Sequence, residues 1–96
     1  MSAVPGRRAL ITLYGRPGCH LCDDARAALE RLRSAGPAFA LEEVDIEGDD
    51  GLLRRYLERI PVVALDGVEL YDFAVDEADL AARLRGGGSG PGGSVQ

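Results

Sequence analysis

Three features of the sequence predict an α/β fold, a four-stranded mixed sheet flanked by three helices in the order βαβαββα. A strand-length apolar run is followed by a long stretch of helical periodicity. An Asp-Gly link joins two β-rich runs, and a capped amphipathic segment comes last.

Ala9 to Tyr14 is the first apolar run, and Gly15, Arg16, Pro17 and Gly18 close it with the composition of a turn. From there Leu21, Ala25, Ala28, Leu29 and Leu32 share one helix face while Arg26, Glu30, Arg31 and Arg33 fall off it, until Gly36 and Pro37 stop the helix. Phe39 to Ile46 reads as the second strand, its alternation interrupted by Glu42 and Glu43. Asp49 and Asp50 then cap a short helix with an apolar stripe of Leu52, Leu53, Tyr56 and Leu57. Val62 to Leu65 and Val68 to Tyr71 are strands joined through Asp66 and Gly67, a pair suited to a two-residue hairpin. Asp76 caps the last helix over Glu77 to Leu84, with Asp79 in its first turn and Val75 placed to pack on Leu80. The first βαβ unit calls for a right-handed crossover and parallel strands, and the hairpin adds antiparallel ones. Residues 1–8 read as an N-terminal extension, 9–85 as the domain, and 86–96, almost all Gly, Ser and Pro, as a disordered tail.

Ninety-six residues with 46% apolar content are enough for one domain with a modest core. A net charge of −5 argues against nucleic acid and anionic membrane as partners, because both attract basic surfaces. No stretch has transmembrane length, and the apolar run after Arg7 and Arg8 is too short for an export signal, so a cytoplasmic monomer is expected. In that reducing compartment two cysteines point to catalysis or metal binding rather than to a permanent staple.

The chemistry concentrates at Cys19, His20, Leu21 and Cys22. Two cysteines three apart in the first turn of a helix can close a disulfide, and the leading sulfur lies where unpaired amide N–H groups and the helix dipole favour an anion. Such settings bring a thiol from ~8.5 down into the range of roughly 3.5–7.5, so Cys19 is expected to be the nucleophile. Cys22, one turn inside, is expected to be buried and to attack the mixed disulfide formed on Cys19. An imidazole at His20 could favour the thiolate or simply be exposed. Asp23 and Asp24 suit a helix N-terminus. Tyr14, Tyr56 and Tyr71 lie on elements with apolar faces and read as packing residues. A closed zinc site is not expected, since His20 alone supplements the two thiols.

Gly15-Arg16-Pro17-Gly18-Cys19-His20-Leu21-Cys22 at the end of the first strand, with Ile60-Pro61-Val62-Val63 opening the third, resembles the glutaredoxin branch of the thioredoxin fold. Cys-His-Leu-Cys-Asp in so short a chain is similar to bacterial glutaredoxin-like proteins. The resemblance covers residues 9–84 and implies a glutaredoxin-type disulfide oxidoreductase with no bound cofactor. Its substrates would be disulfide-containing proteins or small thiols, and its reductant glutathione, another low-molecular-weight thiol or a reductase. It further implies a cis bond before Pro61, a backbone at Ile60 free to pair with substrate, and a role for Arg16 near a thiol ligand's carboxylate. One departure stands out: where glutathione-binding members carry a Gly-Gly pair before the last helix, this chain has Leu70-Tyr71-Asp72-Phe73-Ala74-Val75-Asp76.

Two other classes share a CxxC motif. A copper or zinc carrier runs βαββαβ and usually has Met ahead of the motif, whereas Gly18 stands there in this chain. A non-catalytic interaction module regulated by its disulfide is compatible with the same residues.

Overall fold

The order of elements in the computed structural model, which describes residues 9–85, follows from where the chain can and cannot stay extended. Strand β1 (Ala9–Gly15) leads into helix α1 (His20–Ala35), then β2 (Phe39–Asp45), α2 (Asp50–Tyr56), β3 (Val62–Leu65), β4 (Val68–Asp72) and α3 (Glu77–Arg85). The expected N-terminal extension and Gly/Ser/Pro-rich tail lie outside the described residues. The sheet order is β2-β1-β3-β4, with β1 parallel to β2 and antiparallel to β3, and β3 antiparallel to β4. This is the mixed four-stranded sheet with three helices, and its order is not that of the βαββαβ metal carriers.

Alternation along β1 separates the two faces. Ile11 and Leu13 join Leu29 and Leu32 of α1, Val63 of β3 and Leu80 and Ala81 of α3 in the main core. Tyr14 and Val62 turn to the other face, where Ile46, Tyr56 and Ile60 form a second cluster that also takes in Cys22. Helices α1 and α3 thus cover one side of the sheet and α2 the other. Beside Leu80 in the main core, Val75 packs as its place ahead of the Asp76 cap requires.

Several local expectations are refined. Leu21 does not join the buried face of α1 but is 49% exposed, because Cys22 takes the inward position in the first turn. Ile46 leaves β2 for a single 3-10 turn capped by Asp45, with Glu47 N–H donating to Asp45 Oδ1 at 2.8 Å. Leu57 lies one residue past α2 and is exposed. Glu42 and Glu43 are tolerated because β2 is an edge strand, and Glu43 is tied to Arg26 of α1 at 2.8 Å. The hairpin forms as the Asp-Gly pair requires, with φ of 50° at Asp66 and 88° at Gly67. In β4 the pairing slips by one residue between Val63 and Ala64, a bulge that puts Leu70 and Tyr71 consecutively against the main core while Glu69 faces α2.

Candidate active site

The turn between β1 and α1 sets the two sulfurs at different depths. Gly18 takes φ of 79°, a value glycine adopts freely, and the chain then extends at Cys19 (φ −94°, ψ 113°). Cys19 is itself the N-cap of α1: its Sγ accepts the N–H of Cys22 at 3.1 Å and its carbonyl accepts the N–H of Asp23 at 3.1 Å. A sulfur in that position receives the orphan amide of the first turn and lies on the positive end of the helix dipole. Cys19 and Cys22 are joined as a disulfide, with their Cα atoms 5.2 Å apart.

Cys22 is 1% exposed and lies against the end of β1. A Cβ on Gly15 would sit 2.8 Å from Cys22 Sγ, so the strand must end in a residue without a side chain for the second sulfur to fit. Next to Gly15 at the sheet's end comes Pro61, one residue beyond the Tyr14 and Val62 pair, and next to Pro61 comes Phe73, one beyond the Val62 and Asp72 pair. Pro61 is buried and its peptide bond with Ile60 is cis. Phe73 N–H donates to the Pro61 carbonyl at 2.7 Å. Gly15, Pro61 and Phe73 therefore form a row across the sheet's end, with the disulfide packed against its first member.

The other residues singled out from the sequence fall in different places. His20 opens α1 and is exposed. Arg16 is exposed and pairs with Glu47 at 3.4 Å on the β2 side. There it helps line a cavity of about 250 Å³ between the ends of β1 and β2, shared with Cys22, Asp23, Arg26 and Glu43. Arg26 spans that cavity's rim by bonding both Asp23 and Glu43 at 2.8 Å. Ile60 packs in the cluster that holds Cys22, but its backbone is not wholly open in the way the resemblance implies: its N–H donates to the Tyr56 carbonyl at 3.0 Å. The turn that ends α2 claims that N–H. Among the described residues no group of three or more His, Cys, Asp or Glu side chains is arranged to hold a metal ion, and no helix is long and apolar enough to cross a membrane.

The tyrosines pack, as expected from the sequence, and two of them do so in the cluster that takes in Cys22. Tyr14 and Tyr56 stack with ring centroids 4.4 Å apart in the cluster containing Cys22. Burial, followed by a 2.7 Å hydrogen bond to Glu69, pushes the Tyr56 phenol up to about 12, so it remains a neutral donor. Glu69 is brought down to about 2, chiefly by its bond to Arg59 at 2.6 Å and then by Tyr56. Arg59 also reaches Asp72 at 3.1 Å, joining the end of α2 to the end of β4 just below Phe73. On the opposite face Tyr71 donates to Asp79 at 2.6 Å.

Phe73 was not anticipated as a site residue. It has φ of 72°, in the left-handed region that costs a bulky residue roughly 1–3 kcal/mol, and it is 51% exposed. Nothing in its sequence neighbours marks it, apart from its place between a strand and a cap.

Known proteins resemble this chain in sequence or in fold. The uncharacterized protein Rv0508 of Mycobacterium tuberculosis is 33% identical over 82 residues, which cover 80% of this chain and 84% of that protein. Among solved structures, protein Ne2328 from Nitrosomonas europaea matches with a TM-score of 0.69 at 33% identity, over 79% of this chain and 91% of that one. The target protein XcR50 from X. campestris matches with a TM-score of 0.64 at 40% identity, over 79% and 96%. A mutant thioredoxin from Halobacterium salinarum shares the fold, with a TM-score of 0.57 at 19% identity over 81% of this chain and 73% of that one. A thioredoxin-like fold carrying a cysteine pair at a helix N-terminus is the arrangement of a thiol redox protein. Residues 10–85 match the family described as glutaredoxin-like domain (DUF836), and the chain belongs to that family.

Proposed function

We infer that the protein is a thiol-disulfide oxidoreductase that reduces protein or low-molecular-weight disulfides through Cys19 and Cys22. The observation that carries this reading is the cap: Cys19 Sγ accepts the Cys22 N–H at 3.1 Å, so the sulfur held nearest solvent is also the one whose anion the helix stabilises. In the reduced protein the Cys19 thiolate attacks one sulfur of a substrate disulfide. The other substrate sulfur leaves as a thiolate and takes up a proton, and a mixed disulfide remains on Cys19. Cys22, held by Gly15 within reach of that sulfur, gives up its proton and attacks Cys19. The second substrate thiol departs, and two electrons have passed from the protein to the substrate. Glutathione, another small thiol or a reductase then returns the Cys19–Cys22 disulfide to the dithiol. Arg16 and His20 border the turn and are proposed to meet the substrate there, with the Ile60 carbonyl and Pro61 on the opposite side.

The test is the division of labour between the sulfurs. Reduced protein alkylated across pH is expected to label Cys19 well below the midpoint of free cysteine and Cys22 far more slowly. Cys22→Ser is expected to accumulate a mixed disulfide on Cys19, visible by intact mass. Equal labelling of both thiols near ~8.5, or full reductase activity in Cys19→Ser, would overturn the assignment.

A further inference from the structure

Phe73 sits against the preferences of its residue type twice over. Its backbone is in the left-handed region that suits glycine, and half its surface is open to solvent. Folding alone gives no reason for an aromatic residue that is neither relaxed nor buried. Its N–H bond to the Pro61 carbonyl holds its backbone at the end of the sheet, in the row that begins at Gly15, against which Cys22 packs. On α1, Leu21 is also half exposed and immediately precedes Cys22. The two line one groove, floored by Ala25 and Ala28 and about 190 Å³ in volume. That is below the ~300 Å³ at which sites for whole small molecules begin, and it suits a single side chain. Asp24, Glu77 and Arg31 also line it, and Arg31 already donates to Glu77 at 2.7 Å, so Asp24 leaves the groove net negative.

We propose that this groove receives an apolar side chain adjacent to the reacting cysteine of an extended, basic polypeptide, and that Phe73 and Leu21 are the residues that select it. The proposal rests on the disulfide-reductase reading and names its substrate class. Leu21 immediately precedes Cys22 and Phe73 is bonded to Pro61, so the groove flanks the redox turn, and a side chain seated in it would align a neighbouring substrate disulfide with Cys19. Its apolar walls match an aliphatic side chain. The negative lining, on a chain of net charge −5, attracts a cationic polypeptide and repels an anionic small thiol.

Single-turnover oxidation of the reduced protein tests this without any recycling reductant. The probes are 2-hydroxyethyl disulfide and two disulfide-dimerised peptides, with leucine or serine after the cysteine in an arginine-containing background. The leucine peptide is expected to react about tenfold faster than the serine peptide. Phe73→Gly, which relaxes the backbone and so is expected to keep or raise the melting temperature, should bring that ratio within about twofold. Leu21→Ser should reduce it in the same direction. Exchanging the peptide arginine for glutamate should slow the leucine peptide, with the penalty shrinking as salt is added. A ratio near one in the unmodified protein, a ratio retained in both variants, or a glutamate peptide that reacts equally fast would overturn the groove. If 2-hydroxyethyl disulfide reacts normally while the leucine preference is missing, the groove alone fails. If none of the three disulfides oxidises the protein, the reductase reading fails with it.

Discussion

Two junctions lead from a strand end to a helix start at the same end of the sheet, and they solve one geometric problem with different residues. Between β1 and α1 the positive φ falls on Gly18 and the cap is the Cys19 sulfur, 3.1 Å from the third amide along. Between β4 and α3 the positive φ falls on Phe73 and the cap is the Asp76 carboxylate, 3.0 Å from the Asp79 N–H. Both caps satisfy an orphan amide of a first turn. Only one has an atom that can exchange a bond with a substrate. Capping geometry therefore creates the electrostatic setting for an anion, and the residue type placed in it decides whether the setting is structural or chemical.

The sharpest way to break this comparison is to make the first junction like the second. Cys19→Asp should keep α1 capped and the fold intact, since Asp is among the best N-caps, while disulfide reduction falls to background. Circular dichroism and a single-turnover assay on one preparation would check both halves. A smaller effect is expected at Gly15. Its methyl in Gly15→Ala must displace Cys22 Sγ or the strand end, costing roughly 1–3 kcal/mol in thermal or urea unfolding and slowing release of the mixed disulfide from Cys19. At the second junction, Asp76→Ala should cost about 1 kcal/mol of stability and leave the alkylation profile of Cys19 unchanged. An effect of similar size, but dependent on pH, belongs to Glu69, whose folded carboxyl is held down at about 2 against an ordinary value of 4.5. A depressed carboxylate contributes its stability above the ordinary value and loses it as pH falls through the folded one. The stability difference between the protein and Glu69→Gln should therefore be constant at neutral pH, on the order of 1 kcal/mol, and fade between pH 4.5 and 2.

Much of the fold was legible because its signals are local. The Asp66 and Gly67 turn, the Asp49 and Asp76 caps and the Gly36 stop each act over a few residues. The cysteine pair was readable for the same reason. What escaped depends on contacts distant in sequence. Leu21 satisfies the helical period as well as its neighbours do, yet the first turn buries Cys22 in its place, against Gly15 at the end of β1. The bulge in β4 sets Leu70 and Tyr71 on one face, which strict alternation forbids, and it is visible only once β3 is paired beside it. Gly15 looked like turn punctuation, yet its role is to leave room for a sulfur seven residues later. The resemblance implied a free Ile60 backbone, and the turn that captures its N–H closes over four residues of backbone with no side-chain signature.

The depth of Cys22 also bears on chemical wear. A peroxide that reaches the more exposed Cys19 converts its thiolate to a sulfenic acid, and further oxidation would carry the sulfur past recovery. Cys22 Sγ, shielded at 1% exposure and braced by the end of β1, is the nearest thiol to that sulfenic acid. Condensation of the two would expel water and leave the same disulfide that the proposed cycle forms. Under the proposed reaction, a reductant that served turnover would then also serve repair, and the sheltered sulfur would act as a fuse that resets.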